Sequence, residues 1–130
     1  MDRAPQKTEA AAKQTGRRWA GLLRRADFLR VAASGLRRVT PGFILQAAVH
    51  EGADGLHLGF TASRKVGNAV ARNRAKRRLR ALADNVMPTA ANPALDYVFV
   101  ARTETLKRGF AAMEQDLRQA LQRLKPTAAS

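Results

Sequence analysis

From Ser63 to Ala83 the chain reads Ser-Arg-Lys-Val-Gly-Asn-Ala-Val-Ala-Arg-Asn-Arg-Ala-Lys-Arg-Arg-Leu-Arg-Ala-Leu-Ala. Eight cations fall between Arg64 and Arg80, and no acid occurs between Gly55 and Ala83. Arginine presents a planar fork of donors, and asparagine adds a donor and an acceptor. Such heads suit phosphate oxygens, ribose 2′-hydroxyls and base edges. No comparable constellation supports chemistry on a metal or a nucleophile. There is no cysteine, and His50 and His57 have no further ligand near them. The acids, such as Asp27, Glu51, Asp54, Asp84, Asp96 and Glu104, are scattered rather than paired for two metal ions. The sequence therefore assigns this chain no catalytic residue and no metal or cofactor of its own, and both histidines read as loop and strand-surface residues.

The basic stretch needs a helix to become a surface. Asn68 is a candidate N-cap, and the pattern is helical from Ala69 to about Val86. At 100° per residue, Ala71, Ala75, Leu79 and Leu82 fall within about 80° and form a narrow packing face. Arg72, Lys76 and Arg80 make a ridge on one flank. Arg74 and Arg77 lie on the other, with Asn73 outermost and Arg78 at the apolar edge, where its stem can snorkel. Like charges four apart destabilise a helix by roughly 0.2–0.5 kcal/mol per pair. A merely solvated face would intersperse glutamates, so the unbroken sign points to a polyanionic partner. A membrane surface would want large apolar residues opposite the cations, where this helix offers alanines. A DNA recognition helix would want a helix-turn-helix order, zinc ligands or heptads, none of which appears.

The remaining elements read as a scaffold. Residues 1–17 form a polar, basic arm expected to be flexible, without the apolar core of a secretory signal. A short helix is expected over Trp19–Ala33 on the Leu22/Ala26/Leu29/Ala33 stripe. Strands are expected over Phe43–Val49 and Leu56–Ser63, separated by a hairpin loop at His50–Gly55. Thr40-Pro41-Gly42 signals a turn, and Met87–Ala94, with two prolines, a loop. Tyr97–Ala101 is a continuous apolar run suited to a central strand. A last helix runs from about Arg108 to Leu124 and packs through Phe110, Met113, Leu117, Leu121 and Leu124. The order α-β-β-α-β-α predicts an α+β sandwich, one small sheet with helices packed on it, spanning 18–125, with a tail at 126–130.

Charge on the whole chain agrees with the local field. Among 130 residues, 24 Lys and Arg face 10 Asp and Glu, for a net +14. Self-repulsion of that size is relieved by nucleic acid more readily than by any other common partner. No apolar run reaches the roughly 18 residues of a membrane span. A cytoplasmic protein with no membrane and no disulfide-linked partner is expected.

Arg72-Asn73-Arg74-Ala75-Lys76-Arg77-Arg78-Leu79-Arg80, preceded by Ser63-Arg64-Lys65-Val66-Gly67-Asn68-Ala69-Val70, resembles the signature of the bacterial ribonuclease P protein family. Asp27-Phe28, Ala101-Arg102 and the terminal amphipathic helix occur in matching order, so the resemblance spans about Leu23 to Leu124. It implies a left-handed βαβ crossover in the sheet, against the usual hand. It implies a catalytic RNA partner that binds magnesium, and a precursor tRNA whose 5′ leader is removed by hydrolysis, leaving a 5′-phosphate on the tRNA. Carried over by motif position, Arg72, Asn73, Arg74, Lys76, Arg77 and Arg80 would lie at the catalytic RNA, with Arg64 and Lys65 joining them. Phe28 would stack on leader bases in a cleft between the sheet and the first helix.

Two positions depart from the family pattern. Ala32 stands where a second helix aromatic is common, and Gln46 where a strand aromatic is common. A cleft so altered relies more on Phe28, hydrogen bonding and charge, and Trp19 is a candidate substitute. The competing function is a structured-RNA-binding protein of ribosomal or chaperone type, which accounts for the charge and the helix but not the full motif.

Overall fold

The computed structural model describes residues 19–22, 24–49, 55–92 and 94–124. The expected arm at 1–17, the tail at 126–130 and His50 lie outside the described residues. Among the described residues, five strands and three helices follow one another. They are β1 (Trp19–Gly21), α1 (Arg25–Ala33), β2 (Leu36–Val39), β3 (Phe43–Val49), β4 (Leu56–Thr61), α2 (Ala69–Ala90), β5 (Leu95–Ala101) and α3 (Phe110–Arg123). A 3-10 turn, Thr103–Leu106, separates β5 from α3.

The strands form one sheet in the order β1-β4-β5-β3-β2. Tyr97–Ala101 lies in the central strand, as its apolar run predicts. β4 and β5 are parallel and joined across α2, which supplies the crossover. Successive side chains alternate between two layers. Phe43, Leu45, Leu58, Tyr97 and Phe99 are buried beneath α2 and α3, with Leu79, Leu82, Met87, Met113 and Leu117 closing the core from above. Phe60 bridges Trp19 and Phe99 by ring contacts of 5.5 and 5.1 Å. Burial pushes the Tyr97 phenol above its ordinary value, and its oxygen accepts the Asn92 N–H at 3.0 Å.

The α+β class holds, but two strands come in addition to the expected order. β2 carries Leu-Arg-Arg-Val, a weak strand signal, and forms because it pairs antiparallel with β3 from Leu36↔Ala47 to Val39↔Ile44. Thr40 locks that hairpin: its hydroxyl donates to the Phe43 carbonyl at 2.7 Å and accepts the Phe43 N–H at 3.1 Å. β1 occupies what reads as the start of a helix. Trp19 is drawn instead into the core, where its indole donates to Asp84 Oδ1 at 2.8 Å. Helix α1 therefore begins at Arg25 and buries Val31, while Leu29 of the expected stripe is 55 % exposed. Helix α2 runs on through Pro88 to Ala90, because Met87 and Val86 are fully buried and hold the last turn to the core.

Candidate nucleic-acid interface

The start of α2 is built before the cations can be placed. Gly67 has φ +145°, and a Cβ there would lie 2.8 Å from the Ala71 Cβ, so glycine is required. Asn68 caps the helix as its type predicts, its side chain accepting the Ala71 N–H at 2.9 Å. Arg72 Nη1 folds back to the Gly67 carbonyl at 2.9 Å and fixes the turn carrying Arg64 and Lys65. Arg72 is thus half-buried and partly architectural, while its remaining N–H groups stay available.

Beyond that turn the helix sorts its cations by flank. Asn73, Arg74, Arg77 and Arg80 are exposed, and Lys76 is half-buried. Among the described residues, no carboxylate lies within ion-pair distance of Arg64, Lys65, Arg72, Arg74, Lys76 or Arg77. The Arg80 guanidinium lies 5.5 Å above the Phe60 ring, which holds it at the β4 side of the helix. Arg78 turns toward α3 instead, donating to the Arg108 carbonyl at 2.6 Å and lying 5.7 Å from the Phe110 centroid. It snorkels from the apolar edge and belongs to the packing. Val70, 63 % exposed, sits within the donor face one turn ahead of Asn73 and Arg74.

The second candidate surface lies on the other face of the sheet, which α1 covers only in part. Cross-strand partners share a face, so the register defines rows. Ala48, Asp96 and His57 form one row, Gln46, Val98 and Gly59 the next, and Ile44, Val100 and Thr61 the third. Val31 packs on Ala48 and Val98. Phe28 stands over Gly59, whose missing Cβ would come within 2.8 and 2.9 Å of the Phe28 ring. Arg30 pairs with the buried Asp96, and His57 Nδ1 lies 3.2 Å from the same carboxylate. Ser34 Oγ donates to the Ala47 carbonyl. These contacts clamp α1 over the first two rows. The third row, with Val39 beside it, is left half-open, bounded by the half-buried Phe28 and Gln46.

The structure therefore brings Phe28 and Gln46 together on one cleft, and places Arg64 and Lys65 in the turn before α2 and Arg72, Asn73, Arg74, Lys76, Arg77 and Arg80 along the first half of the helix, on its two flanks. Trp19 goes to the opposite face and cannot serve the cleft; Ala32 is exposed. Among the described aromatic residues, Phe28 alone lines this face. Arg37, paired with Gln46, extends the cleft to the sheet edge and carries no local signal as a site residue. Gly59 could have been found: a glycine inside an alternating strand marks a close approach. Thr61 is three residues before Arg64, at most roughly 11 Å of chain, so the cleft opens beside the basic turn. Among the described residues no three His, Asp or Glu side chains form a metal cluster, and no helix is long and apolar enough to cross a membrane.

Residues 17–125 match the sequence model of the family described as Ribonuclease P. The chain is 52% identical over 107 residues to the ribonuclease P protein component of Paramagnetospirillum magneticum, covering 79% of this chain and 80% of that one. It is 46% identical over 106 residues to the component of Ruegeria pomeroyi, covering 79% and 84%. Among solved structures, the RNase P protein from Thermotoga maritima superposes with a TM-score of 0.68 at 26% identity, covering 81% of this chain and 97% of that one. The Staphylococcus aureus RNase P protein gives 0.66 at 27%, covering 81% and 94%.

Proposed function

The chain belongs to the ribonuclease P protein family, and from that membership we propose that it is the protein subunit of a ribonucleoprotein that removes the 5′ leader from precursor tRNA. In this reading the partner RNA is the catalyst. Magnesium held by that RNA supplies the activation of the attacking water, and this chain contributes no catalytic group. Its work is binding. Arg64, Lys65, Arg72, Arg74, Lys76, Arg77 and Arg80 neutralise phosphates of the RNA subunit near its active centre, and Asn73 hydrogen-bonds beside them. Phe28 and Gln46 hold the single-stranded leader on the half-open row, one by stacking and one by hydrogen bonding. A precursor then gains contacts that a mature tRNA lacks.

The observation that carries this reading is the turn before α2 and the first half of the helix, where Arg64, Lys65, Arg72, Arg74, Lys76 and Arg77 have no carboxylate within ion-pair distance among the described residues. If six or seven of these cations meet phosphates, log K for RNA falls with log salt at a slope of about −4 to −6. The test mixes the purified protein with a catalytic ribonuclease P RNA and a 5′-labelled precursor at low magnesium. Cleavage at the mature 5′ end is expected only with both components. Cleavage by the protein alone would show a catalytic site in this chain. Tight RNA binding without stimulation would favour a general RNA-binding module. Arg72→Ala with Arg74→Ala should flatten the salt slope, and an unchanged slope would remove α2 from the interface.

A further inference from the structure

A cavity of about 100 Å³ opens between the β2 edge and α3, on the opposite side of the sheet from the cleft. Arg38, Thr40, Pro41, Asp116, Gln119, Ala120 and Arg123 line it. Its polar groups divide sharply. The carboxylate and the Thr40 oxygens are engaged: Arg108 grips Asp116 at 2.7 and 3.4 Å, Arg102 donates to the Thr40 carbonyl at 2.6 Å, and the Thr40 hydroxyl is shared with Phe43. The donors are not. Arg38 is half-buried, Gln119 and Arg123 are exposed, and none of the three has a protein partner among the described residues. With Arg108 counted, three guanidiniums face one carboxylate. A lining whose one carboxylate is neutralised by Arg108, and whose open charged groups are two guanidiniums, favours an anion over a cation. A cavity of this size, open on one side, has room for a phosphate group.

We propose that this cavity binds a phosphate group, and that the group is a backbone phosphodiester of the leader strand after it leaves the cleft. The inference rests on the leader reading above. Adjacent residues of a strand point to opposite faces, so β2 carries Arg37 beside Gln46 on the cleft side and Arg38 in the cavity on the other. A strand crossing the Gln46 row toward β2 reaches the sheet edge at Arg37 and meets the cavity as it turns over that edge. Gln119 and Arg123, four apart on α3, close it from the far side.

The test uses the protein assembled with its catalytic RNA, and precursors carrying either a long leader or one trimmed to a couple of nucleotides. Arg38→Gln with Arg123→Gln should weaken long-leader binding about tenfold and reduce the salt slope by about 1 to 2. Binding of the trimmed precursor should stay within twofold. Arg118→Gln, which removes a charge from the exposed side of α3, should change neither. Equal losses from both variants, or no loss from the double variant, overturn the proposal, provided thermal melts show both variants folded. Inorganic phosphate titrated into the protein alone separates the sources. Binding that needs Arg38, with leader affinity indifferent to it, would assign the cavity to free phosphate and overturn the RNA assignment. A wild type that does not distinguish the two leaders would sink the leader reading itself, and the phosphate titration would still decide whether the cavity takes an anion.

Discussion

The two faces of the sheet use the same strands for opposite ends. On the face beneath α2 and α3, Phe43, Leu45, Leu58 and Phe99 are fully buried. On the face beneath α1, burial stops after Val31, Ala48 and Val98, and Ile44, Val100 and Thr61 stay half-open. Alternation along β5 assigns Phe99 to one environment and Val100 to the other, one residue apart. The sealed face supplies stability, and the half-covered one leaves surface to be used. Phe99→Ala should cost about 3–5 kcal/mol in denaturant unfolding, because the ring is stacked on Phe60 and the cavity cannot collapse. Val100→Ala should cost about 0.8 kcal/mol, since half of a two-methyl loss is already in water. Comparable costs at the two positions would break the distinction between the faces.

Gly59 sharpens the comparison, since it lies on the open face yet is itself buried. Its missing side chain is the seat of the Phe28 ring. Gly59→Ala should push that ring outward and cost about 1–3 kcal/mol as overpacking. The more telling readout is binding. Affinity for precursor should fall about tenfold against an unchanged affinity for mature tRNA, within the range for loss of one stacked base. An equal fall for both ligands would mean that Gly59 supports the fold and does not position Phe28.

The sequence made these regions legible to different degrees, and range explains why. The α2 surface is local: capping by Asn68, the glycine at 67 and the cation spacing act within a few turns, so the helix and its outer face follow from the residues alone. The open face is assembled by distant partners. Arg30 meets Asp96 across 66 positions, and Phe28 meets Gly59 across a strand not adjacent to it in sequence. β1 and β2 exist through pairing rather than propensity, so a three-residue strand starting at Trp19 reads as helix and Leu36–Val39 reads as nothing. The cavity at Arg38 needs β2 and α3 brought together, which no local pattern encodes.

Even on the legible helix, identity alone does not separate function from packing, and Arg77 and Arg78 make the finest version of the contrast. They are neighbours of the same type. Arg77 is exposed and faces no carboxylate among the described residues; Arg78 donates to the Arg108 carbonyl and covers the Phe110 ring. Arg78→Ala should destabilise the fold by about 1–2 kcal/mol through the lost charge-assisted bond and stem packing. Arg77→Ala should leave stability within about 0.5 kcal/mol while lowering the salt slope of RNA binding by about 1. Thermal or denaturant unfolding and a salt titration on the two single variants read both quantities. A swap of the two phenotypes would place the RNA on the α3 side of α2 and move Arg74 to the centre of the contact.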